Sequence, residues 1–107
     1  MKEIINMTPH PINLVDEDGT IYKTFPKGER VIRLASFTEL VEVVDGVRFT
    51  KTVFGEAEGL PFYSRNILYI VSQLVKSAFP NRTDLLVPSE IYRTPEGIIV
   101  GCKSLGL

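Results

Sequence analysis

Ile67-Leu68-Tyr69-Ile70-Val71-Ser72-Gln73-Leu74-Val75-Lys76-Ser77-Ala78-Phe79-Pro80 is the stretch on which the fold turns. Its apolar residues fall at 67, 68, 70, 71, 74, 75, 78 and 79, which is the spacing of one helical face. The first five residues also read as a buried strand, because β-branched and aromatic side chains suit a pleated surface. That enrichment predicts a strand ending at Val71 and a helix over 72–79. Ser72 then stands at the N-cap, its oxygen accepting a first-turn amide, and Pro80 stops the helix. The alternative is one continuous helix from Ser64.

Outside this stretch the chain reads as short strands and tight turns. Ile12–Val15 and Thr20–Phe25 flank Asp16-Glu17-Asp18-Gly19, where Asp-Gly supplies positive φ. Phe25-Pro26-Lys27-Gly28-Glu29 is a second turn, leading to Arg30–Leu34. The clearest hairpin joins Leu40–Val44 to Val47–Val53 through Asp45-Gly46 alone, and its second arm alternates apolar with polar. Ile91–Arg93 and Ile98–Cys102 bracket Thr94-Pro95-Glu96-Gly97. Leu85-Leu86-Val87 reads as buried and closed by Pro88, while Gly55–Pro61, with two glycines and a proline, reads as a mobile loop. Short links imply antiparallel neighbours. The expected fold is therefore α+β: one domain over 1–107, with a mostly antiparallel, curled or barrel-like sheet and one principal helix at about 72–79. So many strands in so short a chain leave edges to hide, and homo-oligomerisation is the expected solution.

Composition narrows the function. The 107 residues are 44% apolar, enough for one modest core burying roughly 65% of the unfolded surface. A formal charge of −1 argues against non-specific nucleic-acid binding, which needs a positive field. One cysteine and one histidine exclude an internal disulfide and any Cys- or His-rich metal site, and no cofactor or metal is expected. No apolar run approaches the ~20 residues that cross a bilayer, and the first residues are too polar for a secretory signal. A cytoplasmic protein with no membrane contact is expected.

The candidate chemistry is sparse. Thr8-Pro9-His10-Pro11-Ile12 clamps the lone histidine between prolines, each restricting the residue before it to extended geometry. Such a rod can present Thr8 and His10 to a ligand at little ordering cost; equally, it can guard the edge of the following strand. An imidazole is the side chain type best suited to proton transfer near neutrality, which makes His10 a candidate acid or base. Ser72 at a helix start could meet an anion, though a simple N-cap accounts for it. Arg82 offers a planar fork for phosphate, with Asp84 to orient it or take a sugar hydroxyl; a surface ion pair explains both as well. Arg65 and Arg93 are further anion partners. Cys102, ending an apolar run, reads as a buried structural thiol.

Taken together, Thr8–Ile12, Tyr69–Ser72, Arg82–Pro88, Arg93 and Gly97–Cys102 resemble a group of small bacteriophage and prophage proteins, over nearly the whole chain. The resemblance implies a single small domain of phage origin, acting in the host cytoplasm. Proteins of this size and source often counter host defences, and several unrelated phage families do so by sequestering cyclic nucleotide signals, an analogy of context. The leading expectation is a non-enzymatic sponge for a small phosphorylated, nucleotide-derived ligand. Thr8, His10, Ser72, Arg82, Asp84 and Arg93 would bind it, with Tyr69 or Phe62 stacking on a base. Arg82→Ala is expected to weaken binding without unfolding. Two alternatives stand beside it: an inhibitor that docks on a host enzyme or complex through a sheet edge or the Gly55–Tyr63 loop, hinted at by the Leu60–Tyr63 cluster, and a small nucleotide hydrolase using His10 with Asp84 or Cys102.

Overall fold

The computed structural model describes residues 2–107. Among them eight strands and one helix run in the order β1 (Glu3–Asn6), β2 (Ile12–Val15), β3 (Ile21–Phe25), β4 (Arg33–Val44), β5 (Val47–Glu58), β6 (Ile67–Ile70), α1 (Gln73–Ala78), β7 (Leu85–Arg93) and β8 (Ile99–Gly106). Strands take 55% of the chain and the helix 6%, an α+β protein as expected. The ambiguous stretch resolves as strand, then helix. Ser72 has extended backbone (φ −70°, ψ 158°), and its Oγ accepts from the Val75 N–H at 3.2 Å. The continuous helix from Ser64 does not form.

The cause is the sheet on either side of β6. β1 and β7 both run parallel to it, with Ile5 opposite Tyr69 and Tyr69 opposite Leu85. Tyr69 and Val71 donate to the carbonyls of Asp84 and Leu86, both at 2.8 Å, and Met7 donates to Ile70 at 2.9 Å. A helix over 67–71 would forfeit these bonds. α1 is thus the crossover of a parallel βαβ unit, a long-range connection that short turns do not announce. The six-stranded sheet has the order β1-β6-β7-β8-β2-β3 and is mixed: β1–β6, β6–β7 and β8–β2 are parallel, β7–β8 and β2–β3 antiparallel. It stays open at β1 and β3 and does not close into a barrel.

Two local expectations are corrected, and one strand goes beyond them. Residues 3–6 form an edge strand because β6 offers them a parallel partner. Pro88 does not end its strand. From Val87 onward β7 pairs with β8 alone, and a strand with one free side tolerates a residue lacking an N–H. The expected mobile loop begins later than supposed: β5 continues to Glu58, opposite Arg33, before Gly59 turns the chain at φ +88°.

The core lies between the sheet and α1, where Met7, Ile32, Tyr69, Val71, Val75 and Leu85 are buried together with Leu34, Ala57 and Leu60 packed against them. Period-two alternation sends Tyr69 and Val71 to this side. β4 and β5 form a separate two-stranded ribbon, turned at Asp45 (φ 51°) and Gly46 (φ 76°), the mirror-image turn that Asp-Gly favours. Only its base reaches the core. A radius of gyration of 16.6 Å against the ~13 Å of a compact chain this long reflects that projection.

Because Ser72 caps a six-residue helix that packs through Val75, Ser72→Ala should cost about 1 kcal/mol. Urea denaturation would register it as a lower midpoint with an unchanged slope.

Candidate functional site

Asn6, at the end of β1, is buried and uses both ends of its carboxamide. Its Oδ1 accepts from the Thr8 N–H at 2.9 Å and lies 2.7 Å from Thr8 Oγ1. The first of these is an Asx turn, the local geometry that Asn favours two residues before its donor. Its Nδ2 donates to the carbonyls of His10 at 2.8 Å and Pro26 at 3.0 Å, with Phe25 O at 3.5 Å. Thr8 Oγ1 also lies 2.9 Å from His10 O, and Thr8 O accepts from Gly28 N at 2.8 Å. One side chain thereby ties the proline-framed rod to the 25–28 turn. The packing leaves no slack: a Cβ on Gly28 would lie 2.4 Å from Asn6 O.

A second tie lies across the core. Arg82 grips the Asp84 carboxylate through Nε (2.8 Å) and Nη2 (2.7 Å), and Nη2 also donates to Pro61 O at 3.0 Å. Asp84 is 1% exposed and the Arg82 side chain 23%. The guanidinium hydrogen bonds hold the Asp84 carboxyl below its usual range against the opposing effect of burial, and the carboxylate in turn raises Arg82. With the Asp84 carbonyl bound to Tyr69 N, the pair fixes the segment leading out of β5 to the middle of the sheet.

Between these two ties opens a cleft of about 510 Å³. Asn6, Met7 and Ile5 form one side, Phe25, Pro26, Lys27, Gly28 and Arg30 the second, and Gly59 and Pro61 the third, with Tyr69 beneath. The lining is mainly apolar. Lys27 and Arg30 are exposed at its rim and make no ion pair among the described residues, and Glu29 stands between them. Phe25 is half-buried, with Lys23 Nζ 5.2 Å from its ring centroid.

The six candidates from sequence do not meet in one cavity. Thr8 and Ser72 border a small recess of about 70 Å³ beside Val75. His10 is exposed and contributes its backbone, not its imidazole, to the Asn6 knot. Ser72 Oγ serves the helix cap, and a helix of six residues carries little dipole. Arg82 and Asp84 satisfy each other, and Arg93 Nη1 donates to Gly97 O at 3.3 Å in the turn before β8. Tyr69 is 4% exposed and has no face free for stacking, while Phe62, 96% exposed, lies outside the cleft. Thr8, His10, Arg82 and Asp84 nonetheless matter to it, for they hold its two lips. The residues missed, Asn6, Phe25, Lys27 and Arg30, had only faint signals. Asn6 sits at Asx-turn spacing from Thr8, and a cation in a turn does not announce which way it faces.

Cys102 is buried, and that burial pushes its thiol up; its Sγ rests 3.7 Å from Asn13 O. Among the described residues no group of three or more His, Cys, Asp or Glu could hold a metal, and no helix is long and apolar enough to cross a membrane. No known protein family matches the chain, and neither a curated protein nor a solved structure does.

The expectation that Arg82→Ala leaves folding intact is overturned by the partners of that side chain. Truncation leaves a buried carboxylate unpaired and should destabilise by ~3–5 kcal/mol, seen in chemical denaturation as a lower midpoint before any ligand is added. The Asp84 shift also sets a pH dependence. Its folded value lies below its unfolded value, so the unfolded chain binds the proton more readily. The contribution is complete above about pH 4 and fades as acid approaches the folded value. Asp84→Asn should therefore flatten the fall in melting temperature below about pH 4; an acid limb as steep as that of wild type would refute the assignment.

Proposed function

We propose that the protein binds and retains a small phosphorylated, nucleotide-like ligand in the cleft between the 25–30 and 59–61 segments, without turning it over. The observation that carries this reading is the pairing of an apolar trough with two unpaired cations, Lys27 and Arg30, at its rim. Apolar walls accommodate a base, with the half-buried Phe25 as the aromatic wall in place of Tyr69. The cations neutralise phosphate, and Glu29 accepts from a sugar hydroxyl or an exocyclic amine. The lips are held by Asn6 and by Arg82–Asp84, so little ordering entropy opposes binding. Retention needs affinity alone. In this reading the protein is a phage-type sponge for a nucleotide-derived defence signal, resident in the host cytoplasm as the motif resemblance implies, and homo-oligomeric because its open sheet edges call for cover.

A second reading, an inhibitor docking on a host protein, is favoured by one feature: Phe62 and Tyr63 are 96% and 59% exposed side by side. The hydrolase alternative has less support, since Asp84 is occupied by Arg82 and the Cys102 thiol is buried and raised.

Thermal-shift titration with linear and cyclic nucleotides tests the sponge. A true ligand at a hundred times its Kd adds about 2.7 kcal/mol of stability, and mass spectrometry after heat release should return it intact. Lys27→Ala with Arg30→Ala should weaken binding about tenfold or more with an unchanged melting temperature in buffer. Absence of stabilisation by every nucleotide tried, alongside capture of a host protein lost on Phe62→Ala, would replace this reading with the inhibitor.

A further inference from the structure

The β4–β5 ribbon is the least explained part of the molecule. Beyond its base at Leu34 and Ala57 it has a sheet neighbour on neither side, and residues 36–52 are all exposed. A lone two-stranded hairpin is at best marginally stable in water. Yet this one is long, with twelve residues in each strand.

Its two faces differ. Directly opposed residues share a face, and alternate positions repeat it. Phe37 opposite Val53, Glu39 opposite Lys51, Glu42 opposite Phe49 and Val44 opposite Val47 therefore lie together, with the irregularity between Leu40 and Glu42 preserving the alternation. The apolar members stand open: Phe37 is 59% exposed, Val47 57% and Phe49 47%. Within this apolar face β4 brings the carboxylates and β5 the ammonium, and Glu39 and Lys51 stand level, 4.0 Å apart. The opposite face carries Thr38, Thr50, Thr52 and Arg48, with fewer apolar residues, Leu40 and Val43.

We propose that this face is covered by the same face of a second copy, the two ribbons packed face to face, tips together, about a two-fold axis along their length. That symmetry lays β4 of each copy over β5 of the other at the same level. Glu39 then meets the partner subunit's Lys51, and Lys51 meets the partner subunit's Glu39, closing a ring of four alternating charges inside an apolar frame. The chain is complementary to itself in this arrangement because Glu39 and Lys51 are cross-strand partners, while Glu42, opposite Phe49, lies one pair nearer the tip of the ribbon. The exposed parts of these side chains amount to on the order of 600 Å² per copy, near the ~800 Å² per partner of a standard interface. This deepens the homo-oligomer of the preceding reading by giving it an interface, and it stands independently of the ligand.

Sedimentation velocity over a concentration series tests it. Wild type should pass from monomer to dimer, and Glu39→Lys or Lys51→Glu alone should weaken dimerisation about tenfold or more, since each sets like charges across the two-fold. A 1:1 mixture of the two variants is decisive. It restores opposite charges between copies while each chain's own cross-strand pair stays like-charged, so native mass spectrometry should show heterodimers in excess of either homodimer. If a single variant fails to fold, amide exchange over 37–53 of wild type decides the matter instead, and it is expected to slow as concentration rises. A wild type that stays monomeric throughout, a mixture without rescue, or a ribbon shielded only by a foreign partner overturns the proposal. Nucleotide titration of the monomeric variants separates the two readings, because the cleft should bind as in wild type even where the interface fails.

Discussion

The side-chain amide of Asn6 is the constraint on which the rest of this structure depends. It accepts from Thr8 and donates to the carbonyls of His10 and Pro26, so one buried group joins an edge strand, a proline-stiffened rod and the segment that links β3 to β4. The chemistry needed is particular. An acceptor and two donors must lie on one short, planar group, which a carboxylate or a hydroxyl cannot supply. Among the described residues no buried side-chain nitrogen or oxygen is left without a partner, and in a low-dielectric interior such completeness favours a single arrangement over its alternatives. The prolines on either side of His10 assist by limiting what the unfolded chain can do.

Arg82 and Asp84 perform the corresponding task on the far lip of the cleft. Lying two residues apart, they form a bidentate pair that also reaches Pro61. A buried pair of this kind contributes modest net stability, because desolvation offsets much of its attraction. Its geometry is what counts, since it selects where the chain leaving β5 must run. The cleft is therefore framed by polar ties whose bonds are spent within the protein, and Lys27 and Arg30 stand exposed beside it without an ion-pair partner among the described residues.

Much of the fold was legible from pattern. Asp45-Gly46 announced its mirror-image turn, Ser72 its cap, and the β-branched run Ile67–Val71 its strand. The site was far less legible. Thr8, His10, Arg82 and Asp84 attracted attention as polar residues in stiff or looped settings, but none of them lines the cleft. They serve as its supports, since each spends its polar atoms or backbone within the protein. Side-chain type reveals what a residue can bond to, whereas whether those bonds are already spent internally depends on neighbours as distant as Pro61 from Arg82.

The sequence by itself determined most of the local elements, the α+β class and the absence of cysteine- or histidine-rich metal chemistry, because turn residues, caps and apolar period act over a few positions. Only the tertiary structure decided that β1, β6 and β7 run parallel, that the sheet stays open, and that the six candidate residues part company. Parallel pairing across residues 71–84, and a carboxamide linking residue 6 to residue 26, depend on contacts between distant segments. Each gains its energy only once the intervening chain has closed, and no local pattern records that closure.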